Sequence, residues 1–150
     1  MTKKFILIFV LLLSVTIGYA QSVTWNFSSN KLKSGEVELV FSATIPAGYH
    51  LYSPYNPAGA SLPLTISLNE SSDFQQVGKI IETSKPTEAY SDIFEVTEKY
   101  FTQKAEFKIK IKPVSSSFTV TGKLKGQACT DAGACVMVRK DFSISVGKFK

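Results

Sequence analysis

The strongest constraint on the fold of this chain is a period of two. Residues 104–112 read KAEFKIKIK, which sets Ala105, Phe107, Ile109 and Ile111 on one side and Glu106, Lys108 and Lys110 on the other. Side chains alternate across a β-strand, so such a run buries one face and wets the opposite one. EVELVFSATI repeats the pattern with Val37, Leu39, Phe41, Ala43 and Ile45. SFTVTGKLK aligns Phe118, Val120 and Leu124, and DFSISVG aligns Phe142, Ile144 and Val146. Turn formers separate the runs: SG at 34–35, PAG at 46–48, NPAG at 56–59 and KP at 112–113. No segment carries an apolar stripe of helical period. The expected fold is all-β, an immunoglobulin-like antiparallel β-sandwich of about seven to nine short strands. Antibody-type domains bridge their sheets with cysteines far apart in sequence and pack a tryptophan on the bridge. Here the cysteines are local and Trp25 sits near the start of the domain.

The first twenty residues break the pattern. A basic pair, Lys3 and Lys4, precedes an apolar run from Phe5 to about Val15, and the segment closes on IGYA. That layout is a secretory signal peptide over 1–20, cleaved after Ala20. The apolar run is short for a bilayer span and no basic stop-transfer cluster follows it. Expected, then, is one domain over 21–150 in the periplasm or outside the cell, with no stable membrane insertion after cleavage. Without the two leader lysines the net charge falls from +5 to +3. The remaining lysines alternate with apolar residues, as a solvated sheet face requires, so composition gives no support to a nucleic-acid partner.

Export changes the reading of the only two cysteines, Cys129 and Cys135. In an oxidising compartment a pair usually forms a disulfide. Two thiols and one distant histidine, His50, fall short of the four ligands of structural zinc, so no metal is expected. TDAGA separates the cysteines, with Asp131 and Gly133 as turn formers, and strand-like runs lie on either side. The picture is a hairpin with one cysteine on each side. Closing so small a ring stabilises by only about 2 to 2.5 kcal/mol. A bridge near a hairpin tip is also within reach of other thiols, and exchange depends on access. No cation lies between the cysteines to favour a thiolate, and Asp131 opposes one. From spacing alone, a structural staple and a redox pair both stand.

GQACTDAGACVM resembles the active-site hairpin of the N-terminal periplasmic domain of the DsbD thiol:disulfide interchange family. Two further segments agree in order: IPAGYHLYSP (45–54) with that family's aromatic strand, and YSDIFEV (90–96) with its cap loop. The resemblance spans nearly all of 23–148. It implies an immunoglobulin-like domain whose cysteines alternate between dithiol and disulfide, with Cys135 as the exchanging thiol and Cys129 as the resolving one. It also implies that Phe94, beside Asp92, caps the sulfurs, and that His50 and Tyr52 flank the site; His50 is a candidate proton partner because histidine titrates near neutral pH. The chain departs from the family in two places. It has CVMVRK where a proline often follows the second cysteine, and Glu95 where a glycine often follows the cap phenylalanine.

The expected function is periplasmic thiol–disulfide exchange, a protein-disulfide reductase type of chemistry that needs no cofactor. The implied partners are thioredoxin-like proteins, including those of cytochrome c maturation, or a disulfide isomerase. A separate membrane electron-transfer protein is the implied electron source. The competing reading is a secreted immunoglobulin-like binding or structural module with an inert hairpin disulfide. A hydrolase is remote, since a single histidine and no nucleophile motif leave little for a triad.

Overall fold

The alternating runs become strands whose apolar faces meet in one core. The computed structural model describes residues 22–147, so the leader read at 1–20 lies outside the described residues. Ten strands follow in order: β1 (Thr24–Lys31), β2 (Val37–Thr44), β3 (Tyr49–Tyr52), β4 (Thr65–Leu68), β5 (Phe74–Glu82), β6 (Thr87–Ser91), β7 (Val96–Phe101), β8 (Lys104–Pro113), β9 (Phe118–Thr130) and β10 (Cys135–Val146). One sheet has the order β1-β2-β8-β5. The other has the order β10-β9-β3-β7-β6, with β4 also paired to β9. Every pairing is antiparallel. Two such layers sealed face to face are the immunoglobulin-like sandwich expected from the pattern.

The inward positions are those that the period of two selected. Leu39, Phe41, Phe107, Ile109 and Ile111 are fully buried from the first sheet, and Val120, Leu124, Phe142 and Ile144 meet them from the second. Phe41 and Phe142 touch edge to face across the layers with centroids 5.0 Å apart, and Phe27 joins them at 5.5 Å from Phe142. Gly122 occupies the inward slot between Val120 and Leu124. A Cβ there would lie 2.4 Å from the Phe142 ring and 2.3 Å from the Ser67 carbonyl oxygen, so the missing side chain makes room for Phe142.

Two expectations are revised. The loop read at 90–96 begins and ends on strands: Tyr90 and Ser91 finish β6, which pairs with β7 from Thr87↔Tyr100 to Ser91↔Val96. This hairpin buries little of β6, so apolar alternation does not mark it. Lys112 and Pro113, read as a turn, instead finish β8, where Phe74 of β5 pairs with Pro113. Pro113 lies past the last β2 partner of β8, Ile111, so its missing N–H breaks no ladder on that side. The ten strands exceed the expected number because β3, β4 and β6 are only four or five residues long.

β9 positions the site. Along one edge it pairs with β10 over its whole length. Along the other it pairs with β4 through residues 122–125 and with β3 through residues 128–130. The end of β9 that carries the cysteine is thus flanked by β10 and β3.

Candidate functional site

The cysteines close the β9–β10 hairpin. Cys129 and Cys135 stand opposite each other in the antiparallel register and are disulfide-bonded, with their Cα atoms 4.0 Å apart. The turn between them is held by the Thr130 N–H donating to the Ala134 carbonyl at 2.8 Å and the Gly133 N–H donating to the Thr130 carbonyl at 2.9 Å. Gly133 adopts φ +83°, a conformation that glycine reaches without a Cβ penalty. The two sulfur-bearing residues differ in access: Cys129 is 5% exposed, whereas Cys135 at the start of β10 lies open to solvent.

The strand register sets His50 beside them. His50 of β3 pairs with Cys129 of β9, so Cys135, Cys129 and His50 form one row across three strands. Directly opposed residues project to the same face with Cβ atoms about 4.5 to 5.5 Å apart. Asp131, at the exposed hairpin tip, turns back to the ring and accepts from His50 Nε2 at 2.8 Å. On its other side the imidazole stacks on Tyr100 of β7, with centroids 4.4 Å apart and planes within 25°.

A cleft of about 470 Å³ opens over this row and is lined by both cysteines, His50, Tyr52, Phe94 and Tyr100, among others. Its far wall is the β6–β7 hairpin. Residues 92–95 make the turn, in which the Glu95 N–H donates to the Ser91 carbonyl at 2.8 Å and the Phe94 N–H donates to Ser91 Oγ at 3.4 Å. Ile93 is 86% exposed and Phe94 42%, so the turn presents apolar surface at the cleft mouth. Phe94 therefore shares a cleft with the disulfide, while Asp92 lies in the same turn without lining it. Glu95 stands at φ 55°, a left-handed conformation that costs a side-chain-bearing residue roughly 1 to 2 kcal/mol. That geometry is the physical reason glycine suits this position.

The floor is polar and buried. Tyr52 is 7% exposed. Burial pushes its phenol above the ordinary value of 10.0, a hydrogen bond with Ser61 opposes the rise, and the charge of Glu98 adds to it. Tyr52 therefore stays neutral through the physiological range and acts as a hydrogen-bonding wall. Glu98, 8% exposed, accepts from the Ser61 N–H at 2.8 Å and from Asn56 Nδ2 at 3.4 Å. Asn56 Oδ1 in turn accepts from the Lys99 N–H at 2.8 Å. These bonds tie the β3–β4 connection to β7 and fix the side of the cleft.

Sequence reasoning singled out Cys129, Cys135, His50, Tyr52 and Phe94, and the fold brings these five to one cleft. It missed Tyr100 and Glu98, and it took Asp131 as a turn residue and an opponent of a nearby thiolate rather than as a partner of His50. Alternation in EVTEKY places Glu98 and Tyr100 on one face, but nothing local reveals that this face meets the cysteines. Among the described residues no group of three or more His, Cys, Asp or Glu side chains is gathered as a ligand set.

Solved structures share this architecture. The N-terminal domain of DsbD from Neisseria meningitidis, in its reduced form, superposes with a TM-score of 0.58 at 18% identity, covering 84% of this chain and 86% of that one. A chain from the complex between the DsbD and PilB N-terminal domains of the same organism gives 0.56 at 16% identity, covering 81% and 80%. The N-terminal periplasmic domain of ScsB from Proteus mirabilis gives 0.53 at 17% identity, covering 83% of this chain and 44% of that one. No curated protein matches the sequence. At these identities the structures establish the fold, while the family assignment comes from the sequence itself. The model of the family "Thiol:disulfide interchange protein DsbD, N-terminal" matches residues 18–146, a span that takes in the cysteine hairpin, the aromatic strand β3 and the turn at residues 92–95. The chain that folds a paired-cysteine hairpin beneath that turn belongs to the family of DsbD N-terminal domains.

Proposed function

We propose that this chain, exported by the leader at 1–20 as a domain over 21–150, passes electrons by thiol–disulfide exchange in the periplasm through Cys129 and Cys135. The observation that carries the reading is the asymmetry of the bridge: a cross-strand disulfide with one buried and one open end, facing a cleft whose other wall is the apolar turn at Phe94. Such a bridge is a poor staple. Its ring closes a sequence separation of six, and the hairpin is already aligned by backbone pairing from Cys135 to Val146. The added stability is about 2 to 2.5 kcal/mol.

The exposure of Cys135 suits it as the exchanging sulfur and the burial of Cys129 suits it as the resolving one. In the reduced domain the Cys135 thiolate attacks a partner's disulfide and forms a mixed disulfide. Cys129 then attacks Cys135 Sγ, the domain becomes oxidised, and the partner leaves reduced. Phe94, carried on the turn with Asp92, limits access to the sulfurs until a partner displaces it, because exchange rates depend on access. Suitable partners are periplasmic thioredoxin-like proteins or a disulfide isomerase, and electrons come from a separate membrane protein. A related DsbD domain in complex with a PilB domain supports docking of a second protein on this fold.

The test is the reduction potential of the pair, measured by equilibrating the purified protein with glutathione buffers and trapping free thiols. The expected value lies at roughly −180 to −270 mV, in the range of exchange proteins. A value well below about −300 mV would identify an inert structural disulfide.

A further inference from the structure

We infer that His50 is the general base for Cys129 in the resolving step, held in its working tautomer by Asp131; this rests on the exchange reading above. Three observations on different elements meet at this ring. β3 sets His50 directly opposite Cys129, on the same face and in the same cleft. Asp131 from the hairpin tip takes Nε2 at 2.8 Å. Tyr100 from β7 lies against the ring at 4.4 Å and fixes its plane. A carboxylate on Nε2 makes that nitrogen the N–H donor, which leaves the Nδ1 lone pair to accept a proton.

Stability does not account for the His50–Asp131 pair. The Asp131 side chain is 88% exposed, and an ion pair so open to water adds little to stability. The pair instead orients a base, as a third group orients the base of an activated nucleophile. The chemistry at Cys129 needs one. It is buried, and no lysine or arginine lies between the cysteines. Burial disfavours its thiolate, yet only the thiolate attacks. A base that takes the proton as the sulfur attacks removes that conflict. The titratable groups around the ring are Asp131 from the β9–β10 turn, Cys129 from β9, Cys135 from β10, Tyr100 and Glu98 from β7, Tyr90 from β6 and Tyr52 on β3 itself.

The step balances without a further reactant. In the mixed disulfide, the Cys129 proton passes to His50 Nδ1 while the Cys129 sulfur attacks Cys135 Sγ. The Cys129–Cys135 bond forms, the bond from Cys135 to the partner sulfur breaks, and the partner leaves as a thiolate. The proton on His50 then goes to that thiolate or to solvent. The domain's two thiols are oxidised to a disulfide and the partner's disulfide is reduced.

The experiment uses the reduced, purified protein and 5,5′-dithiobis(2-nitrobenzoate), which gives two coloured releases. The first follows attack by Cys135. The second follows resolution by Cys129, and both are resolved by stopped flow from pH 5 to pH 10. At pH 6.5, His50→Gln is expected to slow the second release by roughly 100-fold, the low end of general-base effects, and to leave the first little changed. The difference should narrow steadily toward pH 10, as the Cys129 thiol comes to ionise unaided. Asp131→Asn, on an exposed turn, should move the second release in the same direction by less. A second release unchanged in both variants at every pH overturns the inference. So does a slowing of equal size at every pH, which marks displaced strands rather than a lost base. If the wild-type protein gives no second release at all, the exchange reading itself fails and this inference goes with it.

Discussion

Two hairpins face each other across the cleft, and they are built differently. β9–β10 is long, and its inward positions Phe118, Val120, Leu124, Phe142, Ile144 and Val146 are all in the core. β6–β7 pairs over only five residues of β6, none of them buried, and its turn carries Ile93 and Phe94 into solvent. One hairpin holds the sulfurs, and the other lines the opposite side of the cleft. Local opening costs least where few apolar side chains are buried. The contrast sets a well-packed hairpin that carries the disulfide against a lightly packed one across the cleft.

The largest effect should come from breaking the rigid side. Phe142→Ala removes a ring that touches Phe27 and Phe41 across the two sheets. The expected loss is about 3 to 5 kcal/mol of stability, read as a lower denaturant midpoint in guanidinium chloride. An equal loss on truncating Phe94 would erase the contrast between the hairpins.

A smaller structural effect and a clear functional one are expected on the other side. Phe94→Ala should change stability by no more than about 1 kcal/mol, since the side chain is 42% exposed. The reduced cysteines should nevertheless react several times faster with iodoacetamide, because the cover is gone. An unchanged alkylation rate would mean that Phe94 does not shield the sulfurs.

The smallest effect sharpens the comparison. Glu95→Gly removes the strain of φ 55° but loosens the unfolded chain, so the net change is expected within about 1 kcal/mol. Amide hydrogen exchange in β6 and β7 should shift, while protection in β9 and β10 stays as it was. A uniform shift across both hairpins would show that they open as one unit.

How much of the site was legible follows the same division. The β9–β10 hairpin was readable because strong alternation and a turn sequence encode it locally, cysteines included. The turn at residues 92–95 was marked only by the resemblance. β6 lacks an apolar face, so alternation does not mark it as a strand. Tyr100 and Glu98 went unnoticed for a related reason: their role depends on which strand lies beside β3, and alternation in β7 says nothing of that.

By itself, the sequence determined the faces. A period of two decides which side chains enter the core, and a five-residue insert forces Cys129 and Cys135 together. The tertiary structure alone decided the neighbours. Setting β3 between β9 and β7 brings His50 opposite Cys129 and Tyr100 against His50, and turns Asp131 from a loop residue into a partner for the imidazole. The physical reason is that side-chain parity is a property of one strand, whereas strand order and register arise from the packing of all of them.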